Sequence, residues 1–444
     1  MSSKRNRAAA ALLATALITS VGPAASAADT LPPPGSSGAS TPWQPISSST
    51  AMGPSADGVQ SQIDKLARDK DLRRSSVIVM DPGTDAVLYD KQGARALIPA
   101  STLKILTAAA ALEALGPTTR LATTTSAVGD VVYLVGGGDS TLARKSKQDS
   151  DPNGPATMRR LAWDTALALR GNTSVDVVFD DSLFEGRTLG PGWPKGFPAA
   201  GVVAPVTALM IDQGRKKPSA RARVADPSVQ AARAFANYLE KKGVKVRSVK
   251  RGKVPENAAE LARVESQTIT GIVQAMLTDS DNDVAESLGH LAGGALVGEA
   301  SFAGGSRAIA QVLQSAGIDT QGLDLSDASG LSGRNRVSPI TITQVLTDVV
   351  REERWTPISA GLAVAGVTGT LANRFATKAT RSGRGVVRAK TGTLTGVGSL
   401  AGIVVDEQDH PLVFAIISNR VRSQARARDT MDRIASNLAE CGCR

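Results

Sequence analysis

The chain has 444 residues and a formal net charge of +10, with only two histidines and two cysteines. Hydrophobic residues make up 42% and charged residues 21%, a balance typical of a globular protein with a large core. Two cysteines, Cys441 and Cys443, are too few for a four-cysteine zinc site or an iron–sulfur cluster. His290 and His410 are too few for a histidine-rich metal site. We therefore expect no metal or cofactor, and chemistry carried mostly by Ser, Lys, Asp, Glu, Asn or Thr.

The N-terminus has the pattern of a secretory signal peptide over residues 1–27. Three basic residues precede an apolar run of 14 residues at 8–21, and small residues follow at 25–27. That run is shorter than the roughly 20 residues of a membrane-spanning helix. We therefore predict export without a transmembrane anchor, to a secreted or cell-wall-associated location.

Removal of this segment leaves 48 Lys and Arg against 41 Asp and Glu, a net charge of +7. With aromatic residues at only 3%, stacking platforms for bases are scarce, so nucleic acid is not an expected partner. Anionic envelope polymers and peptides with carboxylates fit this charge, although a positive excess can also serve solubility alone.

Residues 28–58 are rich in Pro, Ser, Gly and Thr and predict a flexible tether, so folded structure is expected from Val59. A helix at 59–70 is followed by a strand hairpin at 75–80 and 86–89. Ser101 to Leu115 predicts a helix that ends at Gly116-Pro117. The later pattern predicts strands at 130–135 and 174–179, helices near 227–242, 267–277, 283–293, 301–316 and 339–352, a hairpin at 397–405 and 412–418, and a last helix at 424–439. Strands at both ends with helices between them indicate a discontinuous α+β domain that contains an insertion.

Ser101-Thr102-Leu103-Lys104 opens the predicted helix at residue 101. The i, i+3 spacing places the hydroxyl and the amine on one helix face, near the positive end of the helix dipole. A desolvated lysine could remove the proton of the serine hydroxyl and so activate a nucleophile without histidine. Such a match also arises by chance from a helix cap and a surface lysine, so it carries little weight alone.

Two further motifs strengthen this interpretation. Ser280-Asp281-Asn282 lies between two predicted helices, and Lys390-Thr391-Gly392 introduces the strand-like run near Val397. Each occurs once, in the order shared by penicillin-binding proteins and class A β-lactamases.

The sequence resembles the D-alanyl-D-alanine carboxypeptidase/endopeptidases of the class C low-molecular-weight penicillin-binding proteins. The resemblance covers about residues 59–443 and includes the segments Tyr133–Asp139, Asp180–Phe184, Pro191–Trp193, Val203–Leu209, Asp327–Ser332, Asn335–Pro339, Gly369–Leu371 and Arg388–Leu394. It implies a serine β-lactamase/DD-peptidase-like fold, α+β, with an antiparallel sheet flanked by helices. It also implies a substrate, peptidoglycan stem peptides ending in D-Ala-D-Ala, and covalent inhibition by β-lactams.

The resemblance assigns roles to the three motifs. It makes Ser101 the acylated nucleophile and Lys104 the general base, oriented by Asn282, and Ser280 the relay of a proton to the leaving amine. Which of Lys104 and Lys390 is deprotonated first stays open, because their titrations would be coupled.

For the substrate, the resemblance assigns Lys390 and Thr391 to the terminal carboxylate, with Gly392 and Thr393 completing this substrate-binding strand. The backbone amides of Ser101 and Thr393 form the implied oxyanion hole.

One departure from the family concerns its two inserted domains between the first and second motifs. Here only 179 residues separate Ser101 from Ser280, and a short basic stretch replaces the second insertion after Arg215. We therefore predict a catalytic domain of residues 59–120 and 260–444 with one inserted domain at 121–259. We also expect the loss of the second insertion to weaken cleavage of crosslinked sacculi more than removal of D-Ala from free stem peptides.

Two alternative functions stay open. A serine β-lactamase shares these motifs, but the Glu-x-x-Leu-Asn segment that serves class A deacylation is absent from the sequence. A non-catalytic wall-binding protein would not need all six motif side chains.

Three other features have ordinary interpretations. We expect His290 to be a packed side chain and His410 to be exposed in a hairpin turn. A basic cluster is interpreted as a solvated surface, with contact to anionic wall polymer as the alternative; it comprises Lys241, Lys242, Lys245, Arg247, Lys250, Arg251 and Lys253.

Overall fold

Two sheets organise the chain in a computed structural model, which describes residues 53–442 except 150–154, 170 and 172. The predicted signal peptide and most of the predicted tether lie outside the described residues. The strands are β1 (Arg74–Met80), β2 (Val87–Lys91), β3 (Arg120–Val128), β4 (Val131–Val135), β5 (Ser174–Asp180), β6 (Lys245–Arg251), β7 (Ala259–Thr268), β8 (Ala363–Val364), β9 (Val387–Leu394), β10 (Val397–Val405) and β11 (Pro411–Asn419).

The α-helices are α1 (Ala56–Ala67), α2 (Lys104–Leu115), α3 (Met158–Ala168), α4 (Phe197–Ala200), α5 (Pro227–Glu240), α6 (Ile269–Asp279), α7 (Asn282–Val297), α8 (Phe302–Ser315), α9 (Pro339–Arg351), α10 (Thr356–Gly361) and α11 (Gln424–Ala439). Short 3₁₀ turns add residues 70–72, 100–103, 212–214, 353–355, 369–371 and 381–383. None of the helices within the described ranges is long and apolar enough to span a membrane.

A six-stranded sheet in the order β2-β1-β11-β10-β9-β8 joins the two ends of the described chain. Each pair in it is antiparallel. Every residue of β11 and nearly every residue of β10 is buried, because helices cover both faces. One core lies between this sheet and helices α2, α6, α7 and α9, and the other lies under α1 and α11.

The five-stranded sheet, in the order β6-β5-β4-β3-β7, is built from residues 120–268. Its β4–β5 and β5–β6 pairs are parallel, connected through α3 and α5, which pack on the sheet in a separate core. β7 pairs with β3 in this sheet, so the sheet extends past the boundary that the sequence predicts at residue 260.

Three sequence predictions need correction. Folded structure begins at Ala56 rather than Val59, because the Ser55 hydroxyl caps α1 by accepting from the Gly58 amide at 3.1 Å. The Lys-Thr-Gly motif lies inside a strand of its own, β9, and does not merely introduce β10. His410 is not exposed: only 13% of its side chain is accessible, and Nε2 lies 3.2 Å from Asp81 Oδ1.

The remaining interpretations concern His290, the basic cluster and the two cysteines. His290 is a packed side chain, as predicted, with Nδ1 2.8 Å from the Glu286 carbonyl oxygen. The basic cluster spans the end of α5 and β6, where Arg247 and Arg251 pair with nearby aspartates. Cys441 is buried and disulfide-bonded, whereas Cys443 lies outside the described residues.

Candidate active site

Ser101 lies in a 3₁₀ turn (Ala100–Leu103) that leads directly into α2. The sequence predicts a regular helix here, but the chain enters it through Ala100, whose φ of 50° is unusual for a residue with a side chain. Gly330 makes this entry possible, because a Cβ at that position would lie 1.9 Å from the Ala100 carbonyl oxygen. The turn leaves Ser101 partly exposed, while residues 102–112 after it are buried.

Lys104 lies one turn after Ser101 and is fully buried. Its Nζ contacts three oxygens: Ser101 Oγ at 3.0 Å, Asn282 Oδ1 at 2.7 Å and the Ser329 carbonyl oxygen at 2.7 Å. Burial lowers the pKa of Lys104 to about 8, although nearby carboxylates, first that of Glu286, oppose this shift. A neutral amine at this position is therefore accessible near neutral pH.

The turn between α6 and α7 positions the second motif. Ser280 ends α6 with a left-handed φ of 60°, and the Asp281 carboxylate caps α7 by accepting from the Val284 amide at 3.0 Å. Asn282 is consequently the first residue of α7, and its Nδ2 donates to the Val202 carbonyl oxygen at 2.9 Å. This bond fixes the orientation of the amide, so that Oδ1 accepts from Lys104.

Lys390 is the second fully buried lysine of the site. Its Nζ donates to Ser280 Oγ at 2.8 Å and to the Thr391 carbonyl oxygen at 3.0 Å. Burial first, and then the charge of Lys104, hold the pKa of Lys390 well below its usual value. Two buried amines thus lie in one site, and the charge of Lys104 disfavours the protonated form of Lys390.

Strand β9 brings the third motif against the nucleophile. An added Cβ on Gly392 would lie 3.0 Å from the Ser101 amide nitrogen and 2.1 Å from Ser399 Oγ, so only glycine fits. β8 pairs only with Arg388 and Ala389, which leaves the edge of β9 from Lys390 onward without a strand partner among the described residues.

A cleft of about 820 Å³ opens over these groups. Its lining includes Gly192, Pro194, Phe197, Val202, Leu331, Gly333, Thr370, Asn373, Arg374 and Arg428. Ser101, Ser280, Asn282, Thr391 and Thr393 line it. The structure therefore brings together all the site residues that the sequence analysis singled out.

The sequence analysis missed several residues that support the site. Glu286 and Asp327 are buried carboxylates that hold the loop of Ser329, and Thr370 Oγ1 accepts from Thr391 Oγ1 at 2.9 Å. A signal for Glu286 was present, because it follows Asn282 by four residues and so shares its helix face.

The sequence and fold agree with a known family. The D-Ala-D-Ala carboxypeptidase 3 (S13) peptidase family matches residues 59–222 and 215–440. A carboxypeptidase of Mycobacterium tuberculosis is 37% identical over 406 residues, which cover 89% of this chain and 86% of the relative. Carboxypeptidase DacB of Mycolicibacterium smegmatis is 35% identical over 444 residues, 98% of this chain and 95% of the relative.

Solved structures agree on the fold. Penicillin-binding protein 4 of Haemophilus influenzae superposes with a TM-score of 0.72 at 22% identity, covering 86% of this chain and 98% of that structure. The predicted α+β fold of the penicillin-binding DD-peptidases is thereby confirmed. The chain belongs to the D-Ala-D-Ala carboxypeptidase 3 (S13) family of serine DD-peptidases.

Proposed function

We propose that the chain cleaves the terminal D-Ala from peptidoglycan stem peptides through an acyl-enzyme on Ser101, with Lys104 as the general base. The observation that carries this proposal is the contact of Lys104 Nζ with Ser101 Oγ at 3.0 Å. Lys390, the other candidate base, donates to Ser280 and the Thr391 carbonyl oxygen instead.

The surroundings of Lys104 also orient its lone pair. A neutral primary amine has two N–H groups and one lone pair. The Asn282 Oδ1 and Ser329 carbonyl oxygens are acceptors, so they take the two N–H groups. The remaining direction, toward Ser101 Oγ, is left for the lone pair, which is what removal of the hydroxyl proton requires.

In the proposed acylation, Ser101 Oγ attacks the carbonyl carbon of the penultimate D-Ala while its proton passes to Lys104. The C–N bond then breaks, and Lys104 gives up this proton to the leaving amine through Ser280, whose Oγ accepts from Lys390 at 2.8 Å. Neutral Lys104 then accepts a proton from the water that attacks the ester, and this proton passes to Ser101 Oγ as the acyl group leaves.

We assign the substrate's terminal carboxylate to Lys390 and the Thr391 hydroxyl, with Thr393 beside them, and an anion bound there would favour the protonated form of Lys390. The close approach of Gly392 to the Ser101 amide supports an oxyanion hole formed by the amides of Ser101 and Thr393. The open edge of β9 supports binding of the peptide as an added strand.

The test is labelling with a fluorescent penicillin, together with release of D-Ala from a peptide ending in D-Ala-D-Ala. The wild type is expected to form a stable labelled adduct and to release D-Ala. Ser101→Ala should do neither, whereas Ser61→Ala, which changes an exposed serine on α1, should behave as the wild type. An unlabelled wild type would contradict the acyl-enzyme, and rapid loss of the label would favour a β-lactamase.

β-Lactams are the proposed covalent inhibitors, and the Haemophilus penicillin-binding protein 4 has been solved in complex with a β-lactam. We also propose export by the segment 1–27, on the basis of its sequence pattern. The secreted protein should then begin at Ala28, which N-terminal sequencing can check. An unprocessed N-terminus would contradict cleavage at this site.

The proposed loss of the second inserted domain has two supports. The two segments matched by the family meet at residues 215–222, where the short basic stretch lies. A D-alanyl-D-alanine carboxypeptidase of Actinomadura sp. is 30% identical over 479 aligned positions, covering 88% of this chain and 86% of the relative. That alignment is longer than the chain, so the relative contains residues that this chain lacks.

A further inference from the structure

Glu286 is a fully buried carboxylate that the proposed mechanism does not use. It lies in α7 one turn after Asn282, on the helix face that contacts the loop of residues 327–332. An isolated buried carboxylate is costly, so its partners indicate what it does.

Its two oxygens hold the loop that contacts Lys104. Oε1 accepts from the Ser329 amide at 2.8 Å, and Oε2 accepts from the Ala328 amide at 3.3 Å. Thr107 Oγ1 of α2 donates to the Ala328 carbonyl oxygen at 2.6 Å, which clamps the loop from its other side. The Ser329 carbonyl oxygen is consequently fixed at 2.7 Å from Lys104 Nζ.

Glu286 also acts on Lys104 electrostatically. Among the acidic groups around Lys104, it does most to keep the amine protonated, ahead of Asp327, Asp281 and Asp283. Lys390 faces Lys104 from β9, and the charge of Lys104 lowers the pKa of Lys390.

The other carboxylates near Lys104 are engaged elsewhere. Asp327 accepts from Trp193 Nε1, from Asn335 Nδ2 and from two loop amides. Asp281 caps α7, and Asp283 pairs with Arg223.

We propose that Glu286 is a positioning residue for acylation: it holds the Ser329 carbonyl against Lys104 and stabilises the ammonium formed when Lys104 takes the Ser101 proton. The proposal rests on the assignment of Lys104 as base. Burial and then the charge of Asp327 raise the pKa of Glu286, whereas a protonated Lys104 beside it favours the carboxylate, so the two groups titrate as a coupled pair.

The test compares the second-order rate of acylation by a fluorescent penicillin between about pH 5 and pH 10, using the full chain. Glu286→Gln keeps an acceptor for the Ser329 amide but cannot carry a negative charge. Because the charged amine then loses its partner, Lys104 should become neutral at lower pH. In the plot of acylation rate against pH, we expect the acid limb, where the rate rises with pH, to move about one pH unit lower. The plateau, which is the maximal rate, should fall about tenfold.

Glu286→Asp is the conservative variant: its charge should keep the acid limb near that of the wild type, while its shorter reach lowers the plateau. Glu299→Gln, at a partly exposed carboxylate that follows α7, is the matched control and should leave the profile unchanged. A Glu286→Gln profile equal to that of the wild type would overturn the proposal while leaving Ser101 acylation intact.

If Glu286→Gln does not fold, which thermal unfolding would reveal, Glu286→Asp carries the test. If the maximal acylation rate of that variant then equalled that of the wild type, the result would contradict the positioning role. Failure of the wild type itself to be acylated would instead remove the proposed function.

Discussion

Arg223 Nη2 donates to Asp283 Oδ2 at 2.7 Å. This ion pair connects the first turn of α7 to the junction, which is the short basic stretch at residues 216–223. Only 5% of the Arg223 side chain and 2% of the Asp283 side chain are accessible. Asp283 Oδ1 also accepts from the Ala204 amide at 2.6 Å. Since Asn282 immediately precedes Asp283, the short basic stretch at residues 216–223 also holds the Ser-Asp-Asn turn.

Replacing Arg223 with alanine should therefore weaken both stability and acylation. The change leaves Asp283 buried without its counter-charge, which we expect to cost about 3 kcal/mol of unfolding free energy at neutral pH. Displacement of Asn282 should slow acylation about tenfold. Denaturant unfolding and penicillin acylation measure the two effects.

The loss of stability should shrink in acid. Burial already raises the pKa of Asp283 to about 6, and without Arg223 its carboxyl should protonate at still higher pH. Protonation removes the unpaired charge. Arg221→Ala, at an exposed position of the same basic stretch, serves as the control. Equal stability of the Arg223→Ala and Arg221→Ala variants would refute the stabilising role of the Arg223–Asp283 ion pair.

Burial of Lys104 predicts a pH dependence of stability. Its pKa is lowered to about 8 in the folded state from 10.5, so between these values the unfolded chain binds the extra proton. The free energy of unfolding must then rise with pH across this window, by up to about 3 kcal/mol. Below pH 8 the penalty for burying the ammonium is fully present.

The measurement is the difference in unfolding free energy between the wild type and Lys104→Met at several pH values. We expect the difference to shift in favour of the wild type as pH increases from 8. Lys65→Met, at an exposed position of α1, should give a flat difference. A flat result for Lys104→Met would mean that its pKa is not lowered by folding.

Gly330→Ala should damage the nucleophile without touching a catalytic side chain. Gly330 has a φ of 84°, and an added Cβ would meet the Ala100 carbonyl oxygen at 1.9 Å. The turn that carries Ser101 must shift, so we expect acylation to fall at least about a hundredfold, because such positioning errors are costly. Gly196→Ala, where an added Cβ meets nothing within 4 Å, is the control. Normal acylation by Gly330→Ala would show that the turn adapts.

The proposed loss of one inserted domain predicts a shift in substrate preference. Relative to a family member with both insertions, this chain should cleave crosslinked peptidoglycan less well than free stem peptides, because a docking surface for long strands is missing. The measured quantity is the ratio of two rates: crosslink cleavage, from chromatography of muropeptides released from sacculi, and D-Ala release from a free peptide. Equal ratios for the two enzymes would contradict the expectation.

Much of the fold could be predicted from local signals. The helix at 424–439 and the hairpin of β10 and β11 matched closely, since their periodicity and apolar runs are strong. β3, β6 and β7 were missed, because they are polar or partly exposed strands stabilised by pairing within the five-stranded sheet. His410 was placed in a turn correctly, but its burial depends on Asp81, which is remote in sequence.

The sequence by itself determined the chemistry: a lysine one turn from a serine, two further motifs in fixed order, and almost no histidine. Tertiary structure decided which lysine faces Ser101 and which oxygens surround Lys104. It also decided that Glu286 and Arg223 support the site. The physical reason is that hydrogen bonding and desolvation depend on contacts between distant segments. Asn282 and Ser329 reach Lys104 from 178 and 225 residues away along the chain, and no local pattern specifies those distances.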